Sequence, residues 1–362
     1  MDGSVRTAQR LVDATRPDAT QPDAARIDAL LTSAPHRLVA DFIGESRLSA
    51  DLAECVDRIG QIVAAEPMVV SDALREVATR GKRLRPLLVL ATASAADGEQ
   101  NPTVRDRAVR GGVVVELLHL ASLVHDDVMD EATTRHGATS VNVRTGNIRA
   151  VLAGDYLLGQ GLCAGCDLGQ SEGALAAQTF VRLCEGQARE SATLFDPERT
   201  ESAYFGAITG KTGALFQAAC QLGAMAAGLS PKSTAALADY GLRLGITFQL
   251  VDDLLDITAP AHALGKPAGH DIVEGVYTLP VLRAMEEHPR LRHVLRRPDR
   301  EDAAQEALGI VRNSDAIAAV RRETARWSDR AVAALSEARP DIDRAGVAML
   351  AELASTLAAR RY

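Results

Sequence analysis

The stretch LVHDDVMDE, Leu123 to Glu131, and its echo QLVDDLLDI, Gln249 to Ile257, decide how this chain is read. Each attaches an aspartate triad to an apolar segment. On an α-helix residues four apart share a face, so Asp126 with Asp130, and Asp252 with Asp256, present paired carboxylates, and each triad is expected to point in one direction. Six charged carboxylates cannot sit together in an apolar setting unless cations neutralise them. The pattern therefore implies metal, and all-oxygen ligands imply a hard ion such as Mg²⁺.

Working outward, the 362 residues are 47% hydrophobic, 24% charged and only 3% aromatic. Long Ala/Leu/Val/Arg/Glu/Asp tracts favour helix over strand, which predicts an all-α protein. A net charge of -8 leaves no electrostatic footprint for nucleic acid, and no unbroken apolar run is long enough for a transmembrane segment. Five cysteines without a secretory signal point to reduced thiols and a cytoplasmic setting. Cys163 and Cys166 form a CxxC with no second pair, and a helix of small residues accounts for the same letters.

Residues 1–35, rich in Asp, Ala, Thr and Pro, are expected to form a disordered tail, with residues 36–362 as one all-α catalytic domain. In GKRLRPLLVLATASAA a basic cluster closes on Pro86, which fits the first turn of a helix. Lys82 and Arg85, three apart, can converge on one phosphate, although a solvated basic loop reads the same way. GGVVVELLHLASLVH, Gly111 to His125, is apolar nearly all round and predicts a central buried helix. His119 lies two turns before Asp126, placed either to donate to an anion or to be satisfied locally. Lys211 and Thr212 stand in a long apolar run, where the lysine needs an anionic partner or must snorkel to solvent. Gln249 precedes Asp252 by one turn. The Gly/Pro loop that follows carries Lys266 and is suited to closing over a ligand.

GKRLRP, ELLHLASLVHDDVMD, TRHG, GKTG, FQLVDDLLD and GKPAGHD occur here in an order and spacing that resembles the trans-isoprenyl diphosphate synthase, or polyprenyl synthetase, family, across residues 81–282. The resemblance implies an antiparallel helix bundle around a deep central cavity, the isoprenoid synthase fold, and a homodimer. It implies that Asp126, Asp130 and Asp252 ligate Mg²⁺, with Asp127, Asp253 and Asp256 completing or supporting those shells; Mn²⁺ is an alternative and roughly three ions per site are expected. It gives Arg135, Lys211 and Lys266 to an allylic diphosphate, and Lys82, Arg85 and His119 to isopentenyl diphosphate. The implied reaction is ionisation of the allylic C–O bond, with the cation stabilised by Thr212, Gln249 and nearby carbonyls, followed by head-to-tail condensation.

Two features refine that expectation. Short-product members of the family tend to carry aromatic rings four or five residues before the first aspartate, whereas this chain has Ser122 and Ala121, which predicts a product beyond geranylgeranyl. The family's second arginine after the first triad is His136 here, a titrating group in place of a permanent charge, which predicts weaker, pH-dependent capture of isopentenyl diphosphate. Farnesyl or geranylgeranyl synthesis is the nearer alternative. A terpene cyclase has no use for a second diphosphate pocket, and a silent regulatory subunit would be expected to lose aspartates.

Overall fold

The computed structural model describes residues 24–65, 71–96, 101–135, 138–259, 268–296 and 302–360. Eight helices carry the argument: α1 (Leu84–Ala96), α2 (Pro102–Met129), α3 (Asn147–Leu168), α4 (Gln170–Ser191), α5 (Glu201–Ile208), α6 (Ala214–Ala226), α7 (Pro231–Thr258) and α8 (Arg344–Ala358). Both triads sit at the end of a 28-residue helix, α2 or α7. At about 1.5 Å per residue each helix runs about 42 Å. They begin alike: the Asn101 side chain accepts from the Thr103 N–H, the Ser230 side chain from the Ser233 N–H, and a proline occupies the first turn of each.

From Gly111 to Leu118 every residue of α2 is buried, so the apolar run is a central helix as its composition predicts. By length and composition alone α2 could also cross a membrane, but 72% of its apolar window is buried inside the protein, as in a core helix. It packs chiefly on α3, and α7 on α6 and the Ala316–Ala334 helix. Two apolar clusters result. The larger joins the N-terminal helices, α1, α2, α6 and α8; the smaller runs from Tyr204 to Val320 around the second half of α7.

The packed chain begins earlier than Pro35. Residues Ala24–Leu31 form a helix whose Ile27 and Leu31 are 4% and 8% exposed within the larger cluster. The apolar positions of AARIDALL fall three and four apart, and that stripe outweighs the surrounding tail-like composition. Residues 1–23 lie outside the described part. After α2 the chain makes a two-stranded antiparallel ribbon, β1 (Thr134–Arg135) and β2 (Ala138–Thr139), whose turn residues His136 and Gly137 also lie outside it.

Candidate active site

At the end of α2 the triad divides. Asp126 is half-buried and Asp130 exposed, whereas Asp127 is fully buried. Successive helical residues are about 100° apart, so the middle aspartate of a triad must face elsewhere. Asp127 accepts from the Nε and Nη2 of Arg135 at 2.7 and 2.6 Å, and its backbone carbonyl accepts from Asn142 at 3.0 Å. Arg135, expected to hold a diphosphate, thus also anchors the ribbon to α2. Burial pushes the Asp126 carboxyl up, and neighbouring Asp130 adds to this, against the pull of Lys211 and Arg135.

Between the triads lies a π-helical turn, Thr209–Gly213, inside what reads as a continuous helix. Gly186 of α4 and Gly210 make the close approach possible: a Cβ on Gly186 would stand 2.4 Å from the Lys211 nitrogen, and one on Gly210 would stand 2.6 Å from the Arg182 carbonyl. One turn beyond Gly186, Glu190 meets the Lys211 ammonium at 2.6 Å, and Asp126 lies 4.0 Å from the same nitrogen. The lysine has the anionic partner its setting demanded. Burial alone would lower its pKa, but Glu190 and Asp126 outweigh that and raise it. The next residue, Thr212, faces the other triad and donates to the Gln249 carbonyl at 2.7 Å. Consecutive residues of one turn therefore link α2 to α7.

The second triad divides differently: Asp252 is half-buried, and both Asp253 and Asp256 are buried. Asp253, 1% exposed, accepts from Gln249 Nε2 at 2.8 Å and from the Tyr204 hydroxyl at 2.5 Å. Burial pushes its carboxyl up to about 6, against those two hydrogen bonds. Asp252 is half-buried and pairs with Arg360, just past α8. Asp256 is buried; its carboxylate accepts from the Asp271 N–H at 3.3 Å and its carbonyl from Gly269, which ties the end of the Gly/Pro loop to α7. The expectation that each triad points one way is thus corrected: Asp127, Asp253 and Asp256 are buried, whereas Asp126, Asp130 and Asp252 are not.

Two arginines lie against aromatic rings. The Arg85 guanidinium lies 5.6 Å from the Phe216 ring centre, Phe216 packs on Phe248 at 5.2 Å, and Arg360 lies 4.7 Å from Phe248. Burial lowers Arg85 to about 10, leaving it charged at neutral pH. Lys82 is exposed, and its pKa is lowered by burial of its surroundings and by the charge of Arg360. Between them Arg83 has φ +48° and is buried, its guanidinium paired with Glu116 of α2 at 2.5 Å and donating to the Ala78 carbonyl. This strut holds the loop in a backbone conformation that a non-glycine side chain rarely adopts.

Sequence reasoning missed Arg83, Glu116, Tyr204, Glu190 as the partner of Lys211, and Arg360. Of the residues preceding Asp126, Ala121 is fully buried, and Ser122, half-buried, donates to the His119 carbonyl at 2.8 Å. His119 is half-buried on α2. His125 meets Asp155 at 3.3 Å, in space that a Cβ on Gly154 would fill. His136 and Lys266 lie outside the described residues. Cys163 and Cys166 are exposed thiols.

The donor set fits a hard divalent cation. It offers only carboxylate oxygen, and burial together with like charge at Asp126 leaves an imbalance that a cation relieves. Among the described residues no three potential ligands converge to hold an ion by themselves. A divalent cation held there by Asp126 and its neighbours would need further oxygen ligands from substrate or water.

The aspartate-bearing ends of α2 and α7, linked through Lys211 and Thr212 and neighboured by Arg360, suit a ligand of high negative charge bound with a cation. The sequence model of the polyprenyl synthetase family matches residues 67–311, and the chain belongs to that family. It is 36% identical over 299 residues to nonaprenyl diphosphate synthase of Mycobacterium tuberculosis, spanning 80% of this chain and 88% of the relative. It is 34% identical to octaprenyl diphosphate synthase of Escherichia coli K12, over 70% and 79% of the two chains. The fold matches a crystal structure of polyprenyl synthase from Caulobacter crescentus CB15 complexed with calcium and isoprenyl diphosphate, with a TM-score of 0.80, 31% identity, and coverage of 91% of this chain and 99% of that one. The protein is a prenyltransferase with the all-α isoprenoid synthase fold.

Proposed function

We propose that the protein condenses isopentenyl diphosphate head-to-tail onto an allylic diphosphate with Mg²⁺, and that its product exceeds twenty carbons. The observation that carries the reading is the pairing of two anion sites across one turn. Lys211 lies 4.0 Å from Asp126, whereas Arg85 and Arg360 lie over the Phe216–Phe248 pair, with Lys82 within reach of the charge of Arg360. A cyclase has no use for the second set. Asp126, Asp130, Asp252 and Asp256 would hold Mg²⁺, which supplies charge stabilisation to the departing diphosphate. Lys211 holds the allylic diphosphate in position for in-line departure. Thr212 and Gln249 present oxygen dipoles to the allylic cation, and the double bond of the second substrate attacks it. The proton lost afterwards goes to the departed diphosphate, since no described side chain is placed as a dedicated base.

The long product is supported by Ala121 and Ser122 before Asp126, where no ring blocks chain growth, and by the names of the relatives. A homodimer is supported by an exposed apolar stripe on and beside α3: Val143, Ile148, Val151 and Leu152 are 40–79% exposed. Five unbridged cysteines support a cytoplasmic setting. The test is Asp126→Asn and Asp252→Asn, each expected to cut turnover about 10²–10³-fold, while calorimetric binding of isopentenyl diphosphate without metal persists. Wild-type turnover in either variant contradicts the metal assignment.

A further inference from the structure

Behind Thr212 and Gln249 runs a buried chain of hydrogen bonds whose direction is set at its far end. The carboxylate of Asp253 can only accept. Its Oδ2 takes the Tyr204 hydroxyl proton at 2.5 Å and its Oδ1 takes a Gln249 amide proton at 2.8 Å. With its NH₂ committed to Asp253, Gln249 must turn its carbonyl to Thr212, which donates its single hydroxyl proton at 2.7 Å. A hydroxyl that has given away its proton has only lone pairs left to offer. The opposite orientation of Gln249 would press a carbonyl oxygen against a buried carboxylate and leave both short of a donor, at a cost of about 1–3 kcal/mol or more. Tyr204 itself is fixed: its ring is 1% exposed and the Arg199 guanidinium lies 5.6 Å from its centre, donating in turn to the Tyr277 carbonyl at 3.2 Å.

We propose that Tyr204 and Asp253 are positioning residues that set the polarity of Thr212 and Gln249, so that oxygen lone pairs, and no hydroxyl proton, face the developing allylic cation. The inference rests on the condensation reading and adds to it a reason why a tyrosine and an aspartate out of reach of substrate govern the rate. A dipole held in advance stabilises charge without reorganising when the bond breaks. If Asp253 becomes asparagine while Tyr204 still donates to its oxygen, an NH₂ faces Gln249, the amide turns over, and Thr212 regains a proton to point at the cation; Tyr204 acts one step further back, by holding the carboxylate in place.

The full-length Tyr204→Phe enzyme is expected to lose about 10–100-fold in kcat, the usual cost of removing a group that orients a reacting one. KM for both diphosphates and the Mg²⁺ half-saturation should stay at wild-type values. The decisive readout is a double-mutant cycle: in a Gln249→Leu background, where the chain is already cut, Tyr204→Phe should cost nothing further. A full additive loss there overturns the proposal, as does a loss that appears in KM alone. Should thermal melting show Tyr204→Phe to be unfolded, Asp253→Asn takes its place. That variant keeps the Tyr204 bond but turns an NH₂ toward Gln249, and its kcat loss must likewise vanish in the Gln249→Leu background. A wild-type enzyme that elongates no prenyl chain fails the functional reading; an additive cycle in one that does fails this inference alone.

Discussion

Glu116→Gln tests whether the loop that carries Lys82 and Arg85 is held by a single buried ion pair. The side chains of Arg83 and Glu116 are 2% and 4% exposed and 2.5 Å apart. Removing the negative charge while keeping the volume leaves a guanidinium buried opposite a neutral amide. Breaking a buried pair costs about 3–5 kcal/mol, and the surviving amide contact places this variant near the lower end. With about 2.1 cal/mol/K per residue over 362 residues, 3 kcal/mol corresponds to a fall in Tm of about 4 °C. The functional effect should be selective. If the strained turn at Arg83 relaxes, one charge-assisted contact worth about 1.5–3 kcal/mol is lost, so KM for isopentenyl diphosphate rises about 10–100-fold. The allylic KM should not move, because Lys211 is held by Glu190 and does not depend on this loop. Differential scanning calorimetry and initial-rate kinetics with each substrate varied in turn give both numbers. Unchanged stability together with an unchanged KM would refute the strut; equal rises in both KM values would show general damage.

The remaining predictions concern other parts of the molecule. Ala121→Phe should shorten the product; a variant that still makes the full wild-type chain places the floor of the cavity elsewhere. His36 is 1% exposed and held at about 4 by burial, well below its usual 6.5. A base with a depressed folded pKa contributes stability above pH 6.5 that is lost as pH falls toward 4, up to about 3 kcal/mol. Urea midpoints at pH 7.5 and 4.5 should therefore converge by that amount in His36→Gln relative to wild type, and parallel curves would contradict it. His136→Arg should lower KM for isopentenyl diphosphate at pH 8, where an imidazole has lost its charge; no change would leave that substitution without consequence for capture.

The all-helical fold and the two aspartate-bearing helix ends were legible because each is written in contiguous residues with helical spacing. What escaped was partnership across the fold. Nothing near Asp252 announces Arg360, 108 positions away, and nothing near Lys211 announces Glu190, which arrives through the close packing of Gly186 on Gly210. The π turn was hidden because one extra residue in a helix leaves no mark in an apolar run rich in glycine and alanine. The inward turn of Asp127 and Asp253 was readable in principle, since adjacent helical residues cannot share a face. The Ala24–Leu31 helix was obscured in a different way, by proline and aspartate on its N-terminal side.

The account stands most directly on the products formed when purified enzyme, Mg²⁺ and isopentenyl diphosphate are combined with geranyl, farnesyl or geranylgeranyl diphosphate and the lipids are resolved by chain length. The expected result is a linear all-trans diphosphate longer than the geranylgeranyl chain, formed only when isopentenyl diphosphate is present. Cyclised hydrocarbon, or turnover of the allylic diphosphate without isopentenyl diphosphate, would contradict it.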